Sequence, residues 1–522
     1  MDSLNEKLLY RANRALEAEQ YEQALECYLQ LLPNHAFDSG IWKDIALCYH
    51  KLEGFHQALD FHLQIDTQIP TDTWNLKNMA FCYQKLDDYA QALAVHLRAA
   101  ALLPTDTWNL GNIGLCCQML GRLDEAVSYH RQVHSIHAHD AWNLRQLGHC
   151  YFEQSDYQSA LTYYLQSAVL DPDSSLTLGC VGYTYQFLEN YATALEYHLQ
   201  VSQLDTKDAW NWQQIGYCYQ HLQRFGKALE AHLKAQDLRE DSWNLRQIGF
   251  CYQQLQDYEL ALNYYDAMTR IEPDNVFVLQ NIGLCYHEQG DYETALDYYT
   301  QAEDLDPTNV VLLDNLGTCY THKATRSFLG SQTDLHRAIE YFEKSHEINP
   351  KSSFSLESMA YCYQEMDNYP KAIQYYQQAH NTAPENPYLL DNLGYCYQQT
   401  DQLEKAIECY SKSREIAPHE TWNLGHLGWA YFELGNLKQS KTYYDALLNA
   451  GKGDEYDWLN IGHWYFASGD EEKAYQYYRQ SYERFEDKEE FTDEFEEDYK
   501  YLSFYDIPMN NYRQMKMELS FG

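Results

Sequence analysis

The chain has 522 residues, with 77 acidic against 37 basic side chains and a net charge of −40. So acidic a surface repels phosphate backbones and anionic lipid, which excludes nucleic acid and membrane surfaces as general partners. No apolar run approaches the roughly eighteen residues of a membrane span, and "MDSLNEKLLYRANRALEAEQ" has no basic-then-apolar leader pattern, so neither a span nor a secretory signal is expected.

One small residue recurs along the chain: Ala12, Ala46, Ala80, Gly114, Gly148, Gly182, Gly216, Gly249, Gly283, Gly317, Ala360, Gly394, Gly428 and Gly462. The spacing is 34 residues, apart from one interval of 33 and one of 43. This defines about fourteen units, numbered here from the one centred on Ala12, with the small residue at position 8 of each. The stretch around it also recurs, as "TDTWNLKNMAFCY" from Thr71, "TDTWNLGNIGLCC" from Thr105 and "HDAWNLRQLGHCY" from His139. Each unit reads as two helices. In unit 4, Leu110, Ile113, Gly114 and Cys117 share one helix face, and Ala126 and His130 repeat the pattern beyond the turn at "LGRLDE". Prolines such as Pro70, Pro104, Pro172 and Pro307 close many of the units, since proline lacks the amide that would continue a helix.

Unit 9 carries Ile282, Gly283, Tyr286, Tyr292, Ala295, Tyr299, Ala302 and Pro307 at positions 7, 8, 11, 17, 20, 24, 27 and 32. This pattern resembles the tetratricopeptide repeat, and in phase it spans nearly all of the chain before residue 488. The resemblance implies an all-α fold, a right-handed superhelical solenoid of antiparallel helix pairs. A lone hairpin cannot bury its apolar side, so neighbours bury it for one another and leave a long concave surface. The expected organisation is a tandem solenoid over residues 1–488, with a longer repeat at 310–352, followed by an acidic and aromatic segment at 489–522. That last segment reads as a capping helix or as an interaction tail. The extra residues of the long repeat read as longer helices or a loop, with Phe328 and Leu329 as a contact point or simply part of a tolerated insertion.

Ten cysteines occupy position 10, among them Cys48, Cys82, Cys116 and Cys150. Helices of stacked repeats lie roughly 8–10 Å apart, too far for disulfides, so these read as buried free thiols in a reducing cytoplasm. His62, His96, His130, His198 and His232 stand at position 24, where later units have Tyr, and read as hydrogen-bonded packing residues. The run His130, His134 and His137 has a spacing that zinc would accept, but no further ligand completes it. No phosphate-binding loop, zinc-protease helix or nucleophile elbow occurs, so no enzyme activity and no cofactor are expected.

Function is then expected on the inner stripe of the first helix, at positions 2, 5, 6, 9, 12 and 13, which in this family faces the groove. Position 2 is Trp74, Trp108, Trp142, Trp210 and Trp243, then Phe277, Phe354, Tyr388, Trp422 and Tyr456. Position 6 includes Asn78 and Asn112, position 9 includes Tyr183, Tyr217 and Phe250, and position 12 is repeatedly Gln. Aromatic faces and amides suit a peptide backbone, because each amide both donates and accepts. The expected peptide-binding residues are Trp74, Asn78, Trp108, Asn112, Trp142, Arg145, Trp210, Trp243, Arg246 and Phe250. The tryptophans read equally well as groove lining or as packing between repeats. Position 5 is basic at Lys77, Arg145 and Arg246 and acidic at Asp314, Glu357 and Asp391, which suits a mixed or acidic peptide early and a basic one later. The family's chaperone-tail clamp, with its closely paired lysines and asparagines, is not matched. A protein-binding scaffold or adaptor is the leading expectation, as a monomer or weak homo-oligomer. A chaperone shielding a client and a self-assembling structural element are the alternatives.

Overall fold

The computed structural model describes residues 2–34, 38–326, 331–505 and 507–520. No strand occurs among them, and no described helix is long and apolar enough to cross a membrane. Successive helices alternate as a first and a second helix, called A and B here. Asp2–Glu17 and Tyr21–Leu31 form the first pair, Ser39–Lys51 and Phe55–Gln68 the second, and so on to Glu455–Ala467 and Glu471–Arg484. The chain divides into two compact units, Met1–Asp257 and Tyr258–Gly522. Each B helix that lies in the same unit as the following A helix packs against it, so helix pairs stack through each unit.

Local chemistry sets the ends of these helices. Asp72, Asp106, Asp140 and Asp208 precede an A helix, and each side chain accepts the backbone N–H three residues on. The turn into the B helix needs one residue in the left-handed region. Gly121 supplies it at φ 72° in repeat 4, whereas Glu189 and Gln223 adopt φ 57° and 56° in repeats 6 and 7.

The small residue at position 8 lets the two helices of a pair close onto each other. A Cβ on Gly148 would stand 2.5 Å from the Tyr164 ring, and one on Gly114 would stand 2.5 Å from His130 Nε2. Both contacts are far inside van der Waals range, so in these two repeats an added methyl requires the facing ring to shift. Position-24 tyrosines such as Tyr164, Tyr299, Tyr376 and Tyr410 are buried over this residue and form the centre of each layer.

Repeat 10 absorbs most of its extra residues by lengthening both helices. Val310–Arg326 and Gln332–Ile348 have 17 residues each, against 13 and 14 in the neighbouring repeat 9. Phe328 and Leu329 lie outside the described residues. Beyond residue 484, helices Lys488–Glu497 and Met509–Ser520 lie against the last pair. Phe495 stacks on Tyr512 at 4.4 Å and meets Tyr478 edge-on at 4.9 Å, while Phe491, Leu502 and Met515 are buried beside them.

All described cysteines are free, and the position-10 thiols are buried. Burial pushes Cys82 and Cys150 up to about 12, so in the absence of a metal these thiols stay protonated at neutral pH.

Candidate functional site

The repeated Trp-Asn pair is one half of a junction between repeats. His62, His96, His130, His198 and His232 are fully buried, and each ring Nδ1 lies 2.7–2.9 Å from Oδ1 of the asparagine at position 3 of the next repeat: Asn75, Asn109, Asn143, Asn211 and Asn244. Each asparagine Nδ2 donates to the backbone carbonyl of the same histidine at 2.8–3.0 Å. The amide oxygen must therefore accept, which makes Nδ1 the protonated ring nitrogen and leaves Nε2 with its lone pair. The tryptophan of the same pair meets the ring edge-on or tilted, at centroid distances of 5.9–6.0 Å. Burial lowers His62, His96, His198 and His232 to about 4, so they are neutral at physiological pH.

The tryptophans pack on the junction and keep part of their surface exposed. One edge packs on the histidine, yet Trp74, Trp108, Trp142 and Trp210 remain 36–45% exposed. Each also lies beside position 5 of the preceding repeat. Lys77 sits 5.0 Å over the Trp108 ring, and a Cβ on Gly111 would come within 2.9 Å of Trp142.

Several expected groove residues already have partners within the chain. Asn78 and Asn112 donate to the Trp74 and Trp108 carbonyls of their own helix at 2.8 Å, leaving their oxygens as the outward group. Lys77 is ion-paired to Asp106 at 2.7 Å, so it is no spare cation for an acidic peptide. Arg145 is half-buried and reaches Thr177 at 3.4 Å, Arg246 is half-buried, and Phe250 meets Phe225 edge-on. The acidic residues of position 5 are also engaged. Asp314 accepts from Ser345, and Asp391 accepts from Ser413 and the Trp422 indole, with burial pushing Asp391 up to about 6. The expected basic-peptide surface is therefore not displayed at those two carboxylates.

Several position-12 glutamines also point into the junction rather than the groove. Gln84, Gln186 and Gln220 are buried, and each Nε2 donates to the cysteine Sγ of the next repeat, Cys116, Cys218 and Cys251, at 3.2–3.3 Å. Their length carries them off the groove stripe into the junction. His130, His134 and His137 do not converge: His130 is held by Asn143, and His137 is exposed.

One part of the inner face opens into adjoining cavities. The first, about 580 Å³, is lined by Tyr183, Gln186, Phe187, Tyr191, Trp210, Gln213, Gln214, Tyr217 and Trp243, with the ion pair Arg239–Asp241 on its wall. The second, about 380 Å³, shares Tyr183 and Trp210 and continues along Phe152, Leu176, Gly179 and Cys180. The second space arises because repeat 6 carries small residues where its neighbours carry long ones. Gly179 and Cys180 replace the Arg-Gln of repeat 5, and Leu176 replaces a tryptophan. The structure therefore gathers Trp210 and Trp243 with Tyr183 and Tyr217. Trp74, Trp108 and Trp142 line neither cavity.

Sequence models of the tetratricopeptide repeat match residues 71–138, 105–168, 241–308 and 386–452, with further models of the same repeat at 355–388 and 458–488. Together they span more than half of the chain. A comparison with curated proteins finds no match. Among solved structures, the chain is similar to "Crystal structure of APC/C hetero-tetramer Cut9-Hcn1" at 14% identity, covering 82% of this chain and 96% of that one with a TM-score of 0.38. It is also similar to yeast Tom70 at 14% identity, covering 90% of this chain and 97% of that one with a TM-score of 0.39. Similarity this distant carries no information about partners. The matched repeats and the stacked helix pairs make this chain a member of the tetratricopeptide-repeat family.

Proposed function

We propose that this protein is a non-catalytic interaction scaffold that binds an extended segment of a partner protein along the inner face of repeats 6 to 8. The family supports protein interaction in general. The finer reading is carried by one observation: two half-exposed tryptophan and tyrosine pairs, Trp210 with Tyr183 and Trp243 with Tyr217, stand around the same cavity as the Gln213 and Gln214 amides. Large rigid aromatic faces bury much area at small entropic cost, and the amides satisfy the donors and acceptors of a peptide backbone. The cavity wall holds the paired Arg239 and Asp241 and also the exposed Glu189 carboxylate, so a segment rich in apolar side chains and free of acidic ones fits best.

The test is selection of peptides from a displayed random library on the full chain, followed by titration against Tyr183→Ala/Tyr217→Ala. These tyrosines are half-buried and lie outside the His–Asn junctions, so the fold is expected to survive. Loss of at least about tenfold in affinity, with unchanged circular dichroism, supports the reading. Equal binding by the variant removes it.

A further inference from the structure

Repeat 2 departs from the junction chemistry of the others. At position 12 it has His50 where repeats 3, 4, 6, 7 and 8 have glutamine. In repeat 6 the glutamine side chain lies between two acceptors, the position-24 histidine of its own repeat and the position-10 cysteine of the next. Gln186 Nε2 is 3.3 Å from His198 Nε2 and 3.2 Å from Cys218 Sγ. In repeat 2 the imidazole of His50 occupies that place, with Nε2 3.0 Å from His62 Nε2 and 3.1 Å from Cys82 Sγ. An amide between these atoms is only a hydrogen-bond donor. An imidazole there turns the same knot into three convergent ligands, and all three donor atoms lie within 4.8 Å of one another.

We infer that His50, His62 and Cys82 form a binding site for a closed-shell transition-metal ion, Zn2+ or Cu+, that ties repeat 2 to repeat 3. Ligands held about 2.0–2.3 Å from a shared ion stand roughly 3–4 Å apart, so little movement is needed to bind one. The ligand types select this class: thiolate and imidazole favour Zn2+ and Cu+, whereas Mg2+ and Ca2+ take oxygen. His62 is already oriented. Its Nδ1–H donates to Asn75 at 2.7 Å, and Asn75 Nδ2 donates back to the His62 carbonyl, so the Nε2 lone pair faces His50 and Cys82. Such an outer partner fixes the tautomer of a metal-binding histidine. Phe81 stacks on the His50 ring at 5.8 Å, and Phe55 meets it edge-on at 6.1 Å, giving the site an apolar wall. His62 and Cys82 are buried and His50 is half-exposed, which leaves one side for entry. On binding, the Cys82 thiol gives up its proton to solvent and the two imidazoles bind through lone pairs, so no oxidant or reductant is required.

The test compares the full-length wild type with His50→Gln, which installs the residue that other repeats carry and keeps the donor to Cys82. Each protein is loaded with zinc chloride in one arm and with anaerobic Cu+ in the other. It is then desalted against a weak chelator, and bound metal is measured by mass spectrometry. Wild type is expected to retain about one equivalent more than His50→Gln in one of the two arms, and that arm names the ion. Cobalt(II) in the zinc site is expected to show a thiolate charge-transfer band that Cys82→Ala loses. Equal retention by wild type and His50→Gln in both arms overturns the inference, because the remaining buried thiols would then account for any metal bound. A cobalt thiolate band that persists in Cys82→Ala overturns it as well.

Discussion

The His–Asn junction is tested most sharply by exchanging it for the alternative that the same chain uses elsewhere. Repeat 11 has Ala360, Gln364 and Tyr376 at positions 8, 12 and 24, followed by Leu389 at position 3 of repeat 12. Repeat 3 has Ala80, Gln84 and His96, followed by Asn109. In repeat 11, Tyr376 and Leu389 are fully buried, and the tyrosine hydroxyl donates to Gln364 at 3.2 Å. Asn109→Leu alone leaves the His96 Nδ1–H buried without its 2.7 Å acceptor. His96→Tyr alone leaves the Asn109 oxygen without its donor. A buried polar group stripped of its partner costs about 1–3 kcal/mol, so each single substitution is expected to cost about 2 kcal/mol. The double substitution recreates the repeat 11 junction, with Gln84 available to the new hydroxyl, and is expected to recover most of that loss. The coupling energy is then about 2 kcal/mol or more, the range for groups in direct contact. Hydrogen exchange of peptides covering residues 89–119 reads local stability, and 2 kcal/mol appears there as about a 30-fold faster exchange. If the two single effects simply add in the double variant, the junction is not the paired unit described.

Further outcomes follow from the same geometry. The folded-state pKa of His62, His96, His198 and His232 is depressed from 6.5 to about 4, so their contribution is complete above pH 6.5 and is lost as pH falls through 4. Each represents about 3 kcal/mol, so acid titration followed by hydrogen exchange should loosen these repeats over that window, and His96→Tyr/Asn109→Leu should reduce the slope by one proton. Glu433 shows the opposite sign: burial raises it from 4.5 to about 7, so its contribution is complete below pH 4.5 and is lost as pH rises through 7. Glu433→Gln should therefore raise the melting temperature at pH 8 and change it little at pH 5. Gln223→Gly removes a side chain held at φ 56° and should stabilise its turn by about 1 kcal/mol in denaturant melts. Gln84→His should add a second metal equivalent beside His96 and Cys116, measured as in the His50 experiment.

The repeat register was legible in the sequence because the residue at position 8 is constrained by contact with an aromatic or histidine ring. The burial of Asn109 is not legible in the sequence, since asparagine in the first turn of a helix ordinarily looks like a solvated residue. A signal was present nonetheless: position 24 is His in repeats 2, 3, 4, 6 and 7, and each is followed by Trp-Asn, whereas Tyr376 is followed by Tyr-Leu and Tyr164 by Leu-Thr, with Tyr410 before Trp422-Asn423 as the exception. Helical spacing placed Gln84 and Gln186 on the groove, but spacing fixes only where a side chain starts. Their length carries them to the next repeat's sulfur. The cavity beside Trp210 was hidden for a different reason, because it is made by what Gly179 and Cys180 lack. The His50 cluster is not legible in the sequence because His62 and Cys82 come from two different repeats and meet it only in the fold.

The central claim is that a partner segment lies on the inner face of repeats 6 to 8. Hydroxyl-radical footprinting with and without a selected peptide tests it directly, because the relevant aromatics are partly exposed in the free protein. Bound peptide is expected to protect Tyr183, Trp210, Tyr217 and Trp243 and to leave Trp74 and Trp108 labelled as before. Protection confined to Trp74 and Trp108, or to the aromatics of residues 489–520, would contradict it.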